Sequence, residues 1–145
     1  MANTSQCRGP PVGKLYHRGL ELDLVVLVQA AAAWVAETGA AGDLMLSAAL
    51  HRFDGSNRPV RLIASEDAFR EGLIAPIPET PAQTTMALGA VVSDKREAVI
   101  AGHTLVADLL ADMGAHQPHV VTPDGDLLTS RLGAGYRQLL TGRDA

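Results

Sequence analysis

Hydrophobic and polar positions along this chain alternate between a helical rhythm and a strand rhythm. Leu20 to Thr38 is rich in Leu and Ala and is followed by Gly39, a residue suited to the left-handed turn that closes helices. The pattern predicts a helix over 22–38. Between Leu24 and Ala36 its only polar side chain is Gln29. A helix apolar on every side needs cover on every side, from its own domain or from another chain. Leu44, Leu46, Ala48 and Leu50 then alternate, as do Val60, Leu62 and Ala64, predicting strands over 44–52 and 60–64. Asp54-Gly55-Ser56-Asn57 between them is a turn signal, so the two are expected to form a hairpin.

Pro76, Pro78 and Pro81 exclude a central strand from the connector 65–81, within which Glu66 to Arg70 would suit one short helical turn. A third strand is predicted over 84–92, with Met86, Leu88 and Ala90 in phase. Asp94 with Glu97 three residues later resembles a capping box and opens a second long helix, 94–113. Val99, Gly102, Val106, Leu109 and Met113 form its apolar stripe, opposite Glu97, Thr104, Asp108 and Asp112, and Gly114 closes it. Gly102 on that stripe suggests close approach to a strand or another helix. Beyond it, 118–121 and 127–129 flank the turn Pro123-Asp124-Gly125-Asp126 as a small hairpin, and 131–140 suits a last short helix. The order α-β-β-β-α-β-β-(α) predicts an α+β fold, a small mostly antiparallel sheet of three to five strands covered by two long helices. Residues 1–19, with scattered Gly and Pro, read as a flexible N-terminal arm, and 20–145 as a single α+β domain.

Composition sharpens this picture. A chain of 145 residues, 47% of them apolar, is expected to bury roughly 70% of its unfolded surface. Only five aromatic residues are present (Tyr16, Trp34, Phe53, Phe69 and Tyr136), so the core must be aliphatic and base-stacking platforms are scarce. A net charge of −4 offers no global field to nucleic acid or anionic lipid. Cys7 is the single cysteine, and without a signal peptide it points to a reducing, cytoplasmic compartment. The apolar run Leu24 to Ala36 is too short to span a bilayer.

Candidate chemistry is thin. There is no phosphate-binding glycine loop and no G-x-S-x-G elbow. His116 and His119 share one loop, but two imidazoles without a third ligand do not make a metal site. His103 and Asp108 do not fall on one helix face, His51 reads as a solvated strand end, and Glu66-Asp67 suits the first turn of a helix. No catalytic residue, metal or cofactor is expected. Arg52, Arg58 and Arg61 give the segment 51–61 three cations against Asp54, a ribbon that could lie on a phosphate backbone.

Trp34, Gly39, Gly42-Asp43 before the strand Leu44 to Arg52, the proline-rich connector, Leu105-Val106-Ala107-Asp108-Leu109-Leu110 ending at Gly114, and Pro123-Asp124-Gly125 carry a resemblance. From Trp34 to Gly114 the chain resembles the latter half of actinobacterial DNA-binding or ATP-binding proteins of the Schlafen AlbA-like type. Every element in the match is generic, and the chain lacks the N-terminal half of such proteins. The resemblance implies nucleic-acid contact; the acidity departs from it, and no functional residue carries over. The expected function is a non-catalytic interaction or assembly domain that self-associates as a homodimer through Leu24, Leu27, Val28, Ala31 and Val35 of the first helix. A nucleic-acid-binding or regulatory module built on the basic segment 51–61 is the alternative. A separate protein partner is compatible with either, and no membrane is expected.

Overall fold

The structure, a computed structural model, describes residues 13–52, 54–63, 73–115 and 117–131. Among these the order is β1 (Gly13–Tyr16), α1 (His17–Glu37), β2 (Asp43–Ala48), β3 (Val60–Ile63), β4 (Leu73–Ala75), β5 (Ala82–Ala87), α2 (Leu88–Ser93), α3 (Lys95–Asp112) and a 3-10 turn at Thr129–Arg131. The fold is α+β, and α1 and α3 are its two long helices.

Those helices form the centre. Leu24, Val25, Val28 and Ala32 of α1 share one core with Ala98, Val99, Ala101, Leu105, Val106, Leu109 and Leu110 of α3. Gly102 explains how closely they lie: a Cβ there would stand 2.7 Å from Val25 Cγ2 and 3.3 Å from the Val25 backbone. The close approach expected at Gly102 is therefore to a helix. Asp94 caps α3, its carboxylate accepting from the Arg96 backbone N–H at 2.9 Å. Gly39 and Gly114 follow the long helices with φ of 78° and 71°, as their positions required.

The strands form two sheets. β3 lies between β1, to which it is parallel (Leu15 opposite Leu62), and β4, to which it is antiparallel (Val60 opposite Ala75). β2 pairs antiparallel with β5, Leu44 opposite Met86 and Leu46 opposite Thr84. The expected hairpin of 44–52 with 60–64 is thus not formed. Its turn chemistry is real, since Asp54 Oδ1 accepts from the Ser56 N–H at 2.9 Å and the Arg52 carbonyl from the Gly55 N–H at 3.1 Å. That turn instead lets the chain cross from one sheet to the other. Local turn signals fix a bend, whereas strand partners are chosen by which inner faces fit the core.

Other expectations are corrected or refined. Residues 88–92 are helical, not strand. Leu88 and Val91 are the buried pair there while Val92 is 55% exposed, which is the spacing of a helix. Residues 13–19, read as the end of an arm, are β1 and the first turn of α1, with His17 buried. The connector holds β4, an edge strand ending immediately before Pro76, where the prolines permit one. The second small hairpin reduces to a single bridge, Val121 with Leu127. Residues 1–12, the turn proposed over Glu66–Arg70, His116 and the helix proposed beyond Arg131 lie outside the described residues.

Candidate functional site

α1 buries two ionisable side chains among its aliphatic ones and exposes apolar residues on its outer face. His17 and Glu21, one turn apart, are 1% and 0% exposed, with His17 Nδ1 3.2 Å from Glu21 Oε2. Glu21 Oε1 accepts from the backbone N–H groups of Val120 at 2.8 Å and Val121 at 3.3 Å. The His119 ring lies 4.6 Å from the His17 ring, tilted by 52°, and the His119 carbonyl accepts from Arg131 Nη1 at 2.9 Å. Burial pushes the Glu21 carboxyl up. The His17 hydrogen bond, the Val120 N–H, the His17 charge and the Val121 N–H outweigh it and hold the group below its ordinary value. Burial also lowers His103 and His119, partly opposed by the Glu21 charge. A carboxylate and imidazole this enclosed have no substrate access. The arrangement ties the segment after α3 to the start of α1. Among the described residues no three His, Cys, Asp or Glu side chains gather as metal ligands.

The opposite face of α1 carries Val26, Leu27 and Trp34 at 52%, 62% and 70% exposure, with Ala30 and Ala33 exposed between them and Asp23 and Glu37 at the two ends. This spacing of three and four residues makes one continuous stripe along the helix. Of the residues singled out in the sequence, Leu27 lies on the stripe and Ala31 beside it. Val35 is half-buried against the core, and Leu24 and Val28 are enclosed by the chain itself, so neither can meet a partner. Val26, Ala30 and Trp34 take their place. The whole helix, 21 residues from His17 to Glu37, is long and apolar enough by length and composition to cross a membrane, more than the run 24–36 suggested. Its first two turns are nevertheless fixed to the domain through Glu21.

The basic segment behaves differently from a ribbon. Arg52 turns into the domain, its side chain only 14% exposed. Its Nη1 donates to the Pro59 carbonyl at 3.0 Å, and its Nε stands 3.4 Å from Asp54 Oδ1. The Ser56 backbone N–H holds the Asp54 carboxyl below its ordinary value. Arg58 is exposed on the crossing loop and Arg61 is half-buried on β3. The three arginines therefore do not form one surface row.

The chain matches no family model, no curated protein and no solved structure.

Proposed function

We propose that this chain is a non-catalytic assembly domain that forms a homodimer through the outer face of α1. The exposure of Val26, Leu27 and Trp34 on a helix otherwise anchored in the core is the observation that carries the reading. Contiguous exposed apolar surface of this kind marks interaction sites. A second copy suits it because the stripe is complementary to itself. Val26 and Trp34 lie equally far from Ala30, as do Leu27 and Ala33. Two such helices crossing antiparallel at Ala30 set each Leu27 against a partner alanine and each Trp34 against a partner valine. Small residues at the crossing let the backbones approach, and a twofold axis closes the assembly. The stripe offers on the order of 400 Å² per protomer, the size of a weak interface. A dissociation constant of about 10–100 μM is expected.

Sedimentation equilibrium across that range should show a monomer–dimer equilibrium that Leu27→Asp abolishes. In a Cys7→Ser background, mild oxidation should link Ala30→Cys to itself and leave Glu37→Cys unlinked, which separates the antiparallel from the parallel arrangement. A monomer at 200 μM, or retention of the chain on neutral lipid vesicles through Trp34, would overturn the reading.

A further inference from the structure

The loop that carries Arg52 separates two adjoining hollows. One, of about 350 Å³, lies against β1 and the start of β3 and is lined by Gly13, Leu15, Leu50, Val60 and Ile77, with Lys14, His51, Arg52 and Asp54 around them. The other, of about 390 Å³, shares Leu50, His51, Arg52 and Ile77 and continues past Ser56 to Glu79. Both fall within the size range of small-ligand sites. The first has an aliphatic floor and three basic residues against one acid.

Arg52 is the telling group. A guanidinium this deeply placed requires close anionic partners. Its contacts with Asp54 are 3.4 Å and 3.5 Å, well beyond the usual charge-assisted length of about 2.7–2.9 Å, and the Asp54 side chain is 51% exposed. The fork is held in place nonetheless. Pro59 fixes Nη1 from one side, and Gly13 lies beside the guanidinium on the other. A preorganised, under-used cation thus stands at the edge of an apolar floor.

We propose that this cleft binds a small apolar monocarboxylate, its carboxylate on the Arg52 fork and its hydrocarbon over Leu15, Leu50, Val60 and Ile77. A body of roughly eight carbons fits a hollow of this size. The anion would compete with Asp54, whose contacts with Arg52 are long, and a neutral or cationic head would leave the fork as it is. The site is separate from the α1 stripe and does not depend on self-association.

Octanoate, octanol and octylammonium, each below its aggregation limit, test this on the full chain by calorimetry and by amide chemical shifts. Octanoate should bind with submillimolar affinity, octanol at least tenfold more weakly and octylammonium not detectably, with shifts centred on residues 13–15, 50–52, 60 and 77. Arg52→Lys, which keeps the charge and removes the fork, should weaken octanoate about tenfold. Because that change could also loosen the loop, Ile77→Trp provides a second variant. It fills the hollow and should abolish binding while the circular dichroism spectrum stays unchanged. Equal affinity for octanoate and octanol, octanoate shifts centred on Trp34 instead of the cleft, or no octanoate binding would each overturn the proposal.

Discussion

α1 and α3 are the two long helices of one core, and they distribute polarity in opposite senses. α3 buries Val99, Gly102, Val106, Leu109 and Met113 and exposes Asp108 and Asp112. α1 buries His17 and Glu21 with its aliphatic residues and exposes Val26, Leu27 and Trp34. α3 is covered by α1, α2 and β5. α1 satisfies two demands at once, a polar one inside, met by the chain after α3, and an apolar one outside, met by nothing within the monomer's described residues. The contrast teaches that a helix apolar all round need not be a central, enclosed element. It can be one wall of a domain, with apolar side chains left on its outer surface.

The largest effect should come from removing the carboxylate that α1 buries. Glu21→Ala strands the N–H groups of Val120 and Val121 and leaves His17 without its anion. The expected loss is about 3–5 kcal/mol in urea unfolding. Asp108→Ala, at an exposed position of α3, should change stability by less than about 0.5 kcal/mol. Comparable losses for the two would erase the distinction between the helices.

Acid should act on the same side. His103 and His119 have folded-state values depressed by burial, so the unfolded chain binds their protons more readily. Their contribution is present above the ordinary histidine value of about 6.5 and is lost as pH falls through the depressed folded values. Glu21, also depressed, adds a second loss below the ordinary carboxylate range, as pH falls through its folded value. The groups facing this pocket are His17 and Glu21 from α1, His103 from α3, His119 and Arg131 from the final segment, and Arg18. Hydrogen exchange from pH 7.5 to 5 should show protection falling first at Val120 and Val121. His103→Gln with His119→Gln should flatten that first decline. Loss spread evenly over α3 would mean that the tie at Glu21 is not where acid acts.

Much of this contrast was legible in the sequence and part of it could not be. The stripe of α3 and its closing Gly114 follow from spacing alone, because an amphipathic helix writes its inner face in residue type. For α1 the missing polar face was visible, but not which apolar residues would be turned outward, since Leu24 and Leu27 are the same residue type. His17 and Glu21 stand one turn apart, a readable spacing, yet their other partners are backbone groups about a hundred residues away, which leave no mark in residue type. Strand pairing failed for a related reason. Alternation predicted strands over 44–52 and 60–64, of which 44–48 and 60–63 are strand and 49–52 are not, but β2 joins β5 and β3 joins β1, choices made by the core. The cleft at Arg52 was legible only as charge. Part of its lining, Gly13 to Leu15, is chain that the sequence placed in an arm.

The smallest expected effect tests the sign of the outer face's electrostatics. In the antiparallel arrangement the exposed Asp23 of one protomer lies toward Glu37 of the other, because both sit equally far from Ala30. These are like charges at the rim of an apolar contact, so screening relieves a repulsion. Raising sodium chloride from 20 mM to 500 mM shortens the Debye length from roughly 20 Å to roughly 4 Å and should tighten the dimer about two- to threefold. Salt also strengthens apolar association in general, which Asp23→Asn with Glu37→Gln separates. That variant should be tighter at low salt and keep only the shallower apolar part of the salt dependence. Association through the basic segment with nucleic acid would run the other way, weakening steeply as counterions compete for phosphate contacts. A dimer that loosens with salt, or a double variant with the parent's salt slope, would show that the two copies do not meet along this stripe in this register.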